Sequence, residues 1–307
     1  MKGNSIEIKL LQHLTGHQSA IYSLEKSSDQ NKFWSGSGEG IVAEWNLLND
    51  DGALLAKASG IVYSLKLLAD KNILLVGQSN GGVHVINLKT NAEDRLLQFH
   101  TAPVFHIAYH SVHQLIFFLA GDGTLSIVNG DDFRLLNILK LSDKKLRSLA
   151  FHPSRDECVI GCGDGSIAVI SLPVVEMIHR FQAHDYDFSV NCIACAADGK
   201  YLLSGSRDAH VNIFSGDDYS LIKTIPAHNY AIYDIAFHSS QKIIATASRD
   251  KTIKLWDVQS MNVLARLDHE HFKGHAHSVN KLLWMDDKLV SAGDDRSVLV
   301  WEIFPIA

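Results

Sequence analysis

A histidine, a hydroxyl residue and an aspartate recur together in this sequence, and these are the residue types of a hydrolytic triad. One set is His228, Thr246 and Asp250, with Trp256 six residues after the aspartate. A second set has the same types and the same Asp-to-Trp spacing: His275, Ser291, Asp295 and Trp301. Catalysis needs one triad and no indole donor. The recurrence therefore favours a repeated structural hydrogen-bond network.

The aspartate belongs to a phrase that returns seven times, most clearly in the residues from Ser248 to Asp257. The seven anchor positions are Glu39, Asn80, Asp122, Asp164, Asp208, Asp250 and Asp295, separated by 41, 42, 42, 44, 42 and 45 residues. Six residues after each anchor stands a large or branched apolar residue: Trp45, Ile86, Val128, Ile170, Phe214, Trp256 and Trp301. A period of this length indicates one supersecondary unit per repeat.

Each repeat contains apolar runs with the alternation of half-buried β-strands, as in Ser166 to Ile170. Short joints such as Gly121 to Gly123 connect these runs and are typical of hairpin turns. Two further runs complete each period, and one of them is headed by a quartet such as Ile21 to Leu24. The pattern predicts four strands per repeat and an all-β fold.

Gly16-His17, Gly274-His275 and the Trp256-Asp257 ending, repeated in register, resemble the WD-repeat (WD40-type) β-propeller family. The resemblance implies a single domain over residues 1–307: a seven-bladed β-propeller with four antiparallel strands per blade. The expected blades are approximately 15–57, 58–99, 100–140, 141–182, 183–226, 227–273 and 274–307. Residues 1–14 are expected to supply the outer strand of blade seven and so close the ring.

The resemblance also implies that histidine, hydroxyl, aspartate and tryptophan form one buried network within a blade. Blades six and seven have the complete set. Blade one has His17, Ser35 and Trp45 with Glu39, and blade five has His184, Ser204 and Asp208 with Phe214. In blades two, three and four, Val76, Phe118 and Ile160 stand where the hydroxyl is expected. These three blades are predicted to lack the network and to depend on apolar packing.

The family fold would place the second residue of each quartet on the top face around the central channel. That ring is Tyr22, Tyr63, Phe105, Arg147, Asn191, Tyr233 and Asn280. With Lys145, Arg207 and Arg249 it brings four basic side chains over blades four to six, which suits an acidic or phosphorylated segment. The alternative is that these charges are merely solvated.

Two insertions depart from the repeat. Residues 268–273 add two histidines and two carboxylates before Gly274, and with His277 they offer His269, His271 and His277 as possible zinc or nickel ligands. A flexible polar loop is the commoner outcome of such a sequence, so we expect no metal there. Residues 185–188 add two aromatic and two acidic residues on the same face. They suit a partner contact or packing on the neighbouring loop.

Composition excludes several classes of protein. The net charge of −6 argues against a general nucleic-acid binder, and apolar runs long enough to cross a membrane are absent. The first nine residues lack the order of a secretory signal, which predicts a cytoplasmic protein.

The four cysteines are expected to be reduced. Cys158 and Cys162 are expected on a strand and its following turn. Cys192 and Cys195, three apart on a strand, would face opposite sides, so reduced thiols are expected.

The function that these features favour is a non-catalytic protein–protein interaction scaffold without a cofactor. It would be monomeric alone and would bind a protein or peptide within a larger complex. The alternatives are a propeller enzyme or metal-binding protein that uses the channel or the 268–277 loop, and a subunit of a nucleic-acid-associated complex. Against the enzyme, the rim offers only Glu39 and Asp294 as acids and no paired carboxylates.

Overall fold

The computed structural model of the chain describes residues 6–238 and 242–305. Its strands form seven four-stranded antiparallel sheets, as the sequence predicts. The first strands of neighbouring sheets, β2, β6, β10, β14, β18, β22 and β26, contact one another in that order, and β26 contacts β2. The sheets are therefore the blades of a closed ring.

Blades one to three follow the repeats in order. Blade one is β2 (Ile21–Lys26), β3 (Lys32–Ser37), β4 (Ile41–Asn46) and β5 (Gly52–Lys57). Blade two is β6 (Val62–Leu68), β7 (Ile73–Gln78), β8 (Gly82–Asn87) and β9 (Ala92–Gln98). Blade three is β10 (Val104–His110), β11 (Leu115–Ala120), β12 (Thr124–Asn129) and β13 (Leu135–Lys140).

Blades four to seven have the same order. Blade four is β14 (Leu146–Phe151), β15 (Glu157–Cys162), β16 (Ser166–Ser171) and β17 (Met177–Gln182), and blade five is β18 (Val190–Cys195), β19 (Tyr201–Ser206), β20 (His210–Ser215) and β21 (Leu221–Pro226). Blade six is β22 (Ile232–Phe237), β23 (Ile243–Ser248), β24 (Ile253–Asp257) and β25 (Val263–Leu267). The short helix α1 (His269–Phe272) precedes blade seven, which is β26 (Val279–Met285), β27 (Lys288–Gly293), β28 (Val298–Pro305) and β1 (Ile6–Leu14).

The first strand of the chain closes the ring, which confirms the prediction. β1 pairs antiparallel with β28, with Ile8 opposite Ile303 and Leu14 opposite Val298. This pairing joins the two ends of the described chain in one sheet. Without β1, the backbone groups of β28 would form an exposed sheet edge.

The apolar core lies between neighbouring blades. One cluster joins Val290 and Val300 of blade seven to Phe33 and Trp45 of blade one, and all four side chains are buried. The other blade pairs are packed through similar clusters. Each blade thus depends on both neighbours for burial of its faces, which is the physical reason that the repeats form one domain.

All four cysteines are free thiols. Cys162 is the last residue of β15 and so lies on the strand, whereas the sequence placed it in the following turn. Burial raises the pKa of the Cys162 thiol to about 11 and that of Cys195 to about 12. These thiols are protonated and unreactive at neutral pH.

No helix in the described part of the chain is long and apolar enough to cross a membrane.

Candidate partner-binding face and central channel

The triad-like residues of blade six form one directed chain of hydrogen bonds. His228 Nδ1 lies 2.9 Å from Asp250 Oδ2, His228 Nε2 lies 2.7 Å from Thr246 Oγ1, and the Trp256 indole donates to that oxygen over 2.9 Å. In blade seven the corresponding distances from His275 are 2.8 Å to Asp295 and 2.8 Å to Ser291, and Trp301 donates to Ser291 over 2.9 Å. The hydroxyl in each set is buried between two ring partners, so it is held as part of the scaffold.

Blades one and five carry the variants that the sequence predicts. In blade one Glu39 takes the place of aspartate, 2.9 Å from His17 Nδ1, while Ser35 lies 2.7 Å from both His17 Nε2 and the Trp45 indole. In blade five His184 contacts Asp208 and Ser204, each over 2.8 Å. Phe214 stands at the tryptophan position, so this hydrogen-bond network has no indole donor.

Blade three has a network after all, so the prediction that it lacks one is wrong. His100 Nε2 lies 2.7 Å from Ser126 Oγ, and His100 Nδ1 lies 3.1 Å from Thr124 Oγ1, which donates to Asp122. Both hydroxyls come from the third strand, β12, rather than from the second. The prediction was based on the second-strand position alone, and in blade three that position is occupied by Phe118.

Blades two and four keep polar contacts without the histidine. Gln78 accepts from the amide of Gly60 in blade two. In blade four Asp164 accepts from Ser142, Ser166 and Arg180. The anchor turn of blade four is therefore held by hydrogen bonds as well as by apolar packing.

A β-bulge places the predicted ring on the channel wall. In every first strand the register shifts across the second residue of the quartet, as between Ile21 and Ser23, so that this residue is left out of the ladder. Bulges re-aim side chains in this way. The seven residues are half-buried and line one cavity of about 670 Å³: Tyr22, Tyr63, Phe105, Arg147, Asn191, Tyr233 and Asn280.

Four of these residues form a continuous stack along one arc of the channel mouth. The ring centroids of Tyr22 and Tyr63 are 5.2 Å apart, and those of Tyr63 and Phe105 are 5.0 Å apart. The Arg147 guanidinium lies 4.4 Å from the Phe105 centroid, a cation–π distance. Burial lowers the pKa of Arg147, and its buried Nε has no hydrogen-bond partner among the described residues.

Basic residues stand beside the end of this stack. Burial, followed by the charges of Arg147 and Arg207, lowers the pKa of Lys145 to about 8. Arg207 and Arg249 are exposed and line a neighbouring groove with Phe188. The structure thus brings the predicted basic residues together over blades four to six, and we call Lys145, Arg147, Arg207 and Arg249 the basic arc.

The mouth also carries neutral and acidic groups. Asn280 donates to Asp294 over 2.7 Å and to the carbonyl of Ile21 over 2.9 Å. Burial raises the pKa of Tyr22, and Asp294 adds to that effect. Asn191 donates to the carbonyl of Ile232 over 3.0 Å. These asparagines donate hydrogen bonds within the protein, whereas the Nε of Arg147 has no acceptor among the described residues.

Deeper in the channel lie charged residues that sequence reasoning missed. Lys66 Nζ is 2.8 Å from Glu25 Oε1, and Lys281 Nζ is 3.1 Å from Asp234 Oδ1. Burial and the charges of Lys281 and Lys66 lower the pKa of His106 to about 3, which keeps its imidazole neutral. For His106, Asp234 and Lys281 the signal in the sequence was a charged or imidazole side chain at the third quartet position, where the other blades have serine or cysteine. Glu25 and Lys66 directly follow their quartets. Each of these carboxylates is paired with a lysine.

The two insertions are used largely within the protein. His269 Nδ1 lies 2.7 Å from the carbonyl of Gly274, and His271 Nδ1 lies 3.0 Å from Asp268, which caps α1. In the described part of the chain His269, His271 and His277 do not converge on a common point. In the other insertion Lys144 donates to the carbonyl of Tyr186 over 2.9 Å, although the Tyr186 side chain is exposed.

Comparisons with known proteins agree with this architecture. The family model "WD domain, G-beta repeat" matches residues 175–215, 219–257 and 268–302. An uncharacterized WD repeat-containing protein of Schizosaccharomyces pombe is 24% identical over 98% of this chain, and the alignment covers 49% of that protein. WD repeat-containing protein 37 of Mus musculus is 30% identical over 36% of this chain and 23% of its own length. Striatin-3 of Homo sapiens is 23% identical over 83% of this chain and 35% of its own length. The chain thus spans half or less of each of these relatives.

Proposed function

Since the chain is a WD-repeat β-propeller, we propose that it is a non-catalytic scaffold that binds a protein partner at the mouth of its central channel. Propellers of this family are generally interaction scaffolds. A rigid ring presents its side chains in fixed positions, which lowers the ordering cost of binding.

The observation that carries the proposal is the stack of Tyr22, Tyr63, Phe105 and Arg147. Aromatic and arginine side chains dominate the energetics of protein interfaces. Here they are half-buried, already ordered by one another and open to the channel mouth. A partner side chain that enters the mouth would complete the burial of these rings.

The basic arc supports a partner segment that is acidic or phosphorylated. Arg147 is half-buried at the channel mouth and burial lowers the pKa of its guanidinium, so an incoming carboxylate or phosphate beside it would offset part of this desolvation cost. Arg207 and Arg249 are exposed beside it and can form the bidentate contacts that favour these anions. The protein itself would act as a monomer within a larger complex.

Two further observations bear on the setting of this function. Among the described residues of the channel, the carboxylates of Glu25 and Asp234 are each paired with a lysine, Lys66 and Lys281, which supports a non-catalytic role. The four free thiols suit a reducing compartment, and we propose that the protein works in the cytoplasm.

Selection of a randomised peptide library, with and without phosphoserine, on the immobilised protein would test the proposal. We expect the bound peptides to be enriched in Asp, Glu or phosphoserine, and the Arg207→Glu/Arg249→Glu variant to lose that enrichment. A matched control, Arg134→Glu/Lys200→Glu, changes two exposed cations away from the mouth and should select the same peptides as the unaltered protein. Equal selection by both double variants would overturn the basic-arc proposal.

Capture from a cytosolic extract with the Tyr22→Ala/Tyr233→Ala/Arg249→Ala variant extends the test to whole proteins. Partners that bind the unaltered protein and not this variant would locate the site at the channel mouth. Identical partner sets would place the interaction on the opposite or the side face.

A further inference from the structure

A second cluster of chemically active side chains lies at the end of the propeller opposite the channel mouth. His110 is the last residue of β10, His113 lies in the turn that follows it, and Asp156 lies in the turn between β14 and β15 of the next blade. Phe105 and Arg147, which line the mouth, are near the other ends of β10 and β14. The cluster therefore bridges blades three and four on the far face.

The donor atoms of the cluster converge. One ring nitrogen of each histidine and one carboxylate oxygen of Asp156 all lie within 4.8 Å of one another. His113 Nε2 is 3.0 Å from Asp156 Oδ1, and the two imidazoles stack with centroids 4.7 Å apart. In the described part of the chain this is the one group of three or more His, Cys, Asp or Glu residues with such convergence.

The hydrogen bonds around the cluster leave its donor atoms available to a cation. His110 Nδ1 accepts only a long contact of 3.3 Å from the amide of His113, beyond the usual range for such a bond, so its lone pair is weakly engaged. Between His113 Nε2 and Asp156 a cation can take the place of the shared proton, which passes to solvent.

Packing holds the His110 ring and the backbone of Asp156 in place, while the Asp156 side chain can move. The edge of the His110 ring contacts Phe151, with centroids 4.9 Å apart, and the carbonyl of Asp156 accepts from the amide of Leu172. The Asp156 side chain is 68% exposed, so its carboxylate can turn toward the histidines and water can reach an ion. Tetrahedral bonds of about 2.1 Å put ligand atoms about 3.4 Å apart, a modest closure of the observed positions.

We propose that His110, His113 and Asp156 bind a divalent transition metal ion, with Zn²⁺ the ion that this donor set fits best. Two imidazoles and one carboxylate are a three-residue zinc ligand set, and water completes the coordination. The ion links the hairpin turns of two adjacent blades, so metal binding should stabilise their contact. The site is separate from the channel mouth and does not depend on the partner proposed for it.

Calorimetric titration of the untagged protein with ZnCl₂ tests the site. We expect one equivalent to bind, and we expect His113→Ala or His110→Ala to weaken binding by at least about 100-fold, since even loss of an outer-shell partner of a metal ligand costs about 10–100-fold. The matched control is His84→Ala, which removes another histidine 3.0 Å from a carboxylate, that of Glu93. This control should bind zinc as the unaltered protein does.

A second variant, His271→Ala/His277→Ala, separates this site from the histidine-rich loop. The proposal is overturned if zinc gives no heat, if His110→Ala and His113→Ala leave the affinity unchanged, or if only the loop variant loses binding. Melting curves with ZnCl₂ and with EDTA provide an independent readout. Zinc should raise the melting temperature of the unaltered protein and of the loop variant, and it should not raise that of His113→Ala.

Discussion

The guanidinium of Arg147 lies 4.4 Å from the ring centroid of Phe105, and its buried Nε has no hydrogen-bond partner in the described part of the chain. The contact with the Phe105 ring attracts the Arg147 cation. The buried Nε, by contrast, has lost its water without gaining a hydrogen bond, which costs free energy. The side chain lines the channel cavity, where an anion of a partner can approach the guanidinium, whereas the buried Nε contributes a cost rather than a contact to the fold. Arg147 is therefore the residue at which stability and partner binding should separate most clearly.

Arg147→Met should reduce partner binding without reducing stability. Methionine keeps an unbranched side chain against Phe105 and removes the unpaired donor, so the free energy of unfolding should change by less than about 1 kcal/mol or should rise. Affinity for a peptide selected as above should fall at least tenfold, about 1.4 kcal/mol. Urea unfolding and fluorescence anisotropy provide the two measurements. A large loss of stability with unchanged affinity would show that Arg147 is a structural residue.

The networks of blades six and seven should make the propeller sensitive to acid. Burial alone would raise the pKa of Asp250, but the hydrogen bonds that its carboxylate accepts from His228, Thr252 and the amide of Asn229 outweigh burial and hold that pKa far below the usual range. Burial lowers the pKa of His228, so that histidine is neutral in the folded state. Both shifts mean that the unfolded chain binds more protons. Stability should be complete above about pH 7.5 and should fall as the pH drops. The first loss comes from protonation of His228 in the unfolded chain, whose ordinary pKa is about 6.5, and the second from Asp250 below about pH 5, since its ordinary pKa is about 4.

Asp250→Asn tests this linkage, since it keeps the shape and removes the charge. We expect a loss of about 1.5–3 kcal/mol at pH 7, the range for hydrogen bonds to charged groups, and a shallower loss below about pH 4.5, where Asp250 of the unaltered protein takes up a proton on unfolding. Urea unfolding at several pH values measures both quantities. Asp217→Asn, an exposed change in a turn of blade five, should leave the pH profile as it is. Parallel profiles for Asp250→Asn and the unaltered protein would rule out this origin of the acid sensitivity.

The fold could be predicted from the sequence because the repeat imposes the same pattern seven times. Strand alternation and Gly-bearing joints indicated four strands per repeat, and the resemblance to the WD-repeat family, with the unclaimed strand at residues 6–14, predicted the ring and its closure. The ring of channel residues followed from the repeated quartet and the family fold, and the structure shows that a bulge at Tyr22 and at each equivalent position places these side chains on the channel wall. A local structure that recurs in every repeat can be recognised from the residue types that recur at the same position.

The features that the sequence did not predict depend on contacts between different strands or blades. In blade three the hydroxyl that contacts His100 comes from Ser126 on the third strand, whereas in other blades it comes from the second strand. A comparison of the repeats position by position would not show this difference. The Lys66–Glu25 pair joins two blades across 41 residues, and His113 reaches Asp156 across 43. Such pairs arise where the ring brings different repeats together, and the repeat pattern contains no information about them.

Removal of residues 1–14 should prevent formation of a stable monomer. Loss of β1 exposes the edge of β28 and uncovers the apolar residues that Ile8 and Leu14 help to bury. We expect an aggregating or unfolded product in size-exclusion chromatography and circular dichroism. Removal of residues 1–5 alone leaves β1 in place and provides the control. A folded monomer with an unchanged melting temperature after the longer deletion would refute this account of ring closure.

Ser126→Ala should destabilise blade three. It removes the 2.7 Å contact of the buried His100 Nε2 and leaves a desolvated ring nitrogen without its partner, at a cost of about 1–3 kcal/mol. Ser220→Ala removes an exposed serine whose hydroxyl contacts Asp218, and it should cost no more than about 0.5 kcal/mol. Denaturant unfolding compares the two. Equal effects would mean that blade three depends on apolar packing alone.

The basic arc should bind acidic ligands less strongly as the pH rises through about 8. Burial and the charges of Arg147 and Arg207 lower the pKa of Lys145 to about 8, so this ammonium group is charged at pH 7 and mostly neutral at pH 9. A bound anion would itself stabilise the charged form and move the transition upward. Affinity for an acidic peptide, measured by anisotropy from pH 6.5 to 9.5, should therefore decline across this range.

Lys145→Gln should remove that decline, because glutamine presents no titrating charge beside Arg147. Its affinity at pH 7 should match the value that the unaltered protein approaches at high pH. Lys200→Gln, which changes an exposed lysine paired with Asp198, should keep the full decline and so controls for general charge effects. If the decline persists in Lys145→Gln, a different group titrates at the mouth and Lys145 does not contact the ligand.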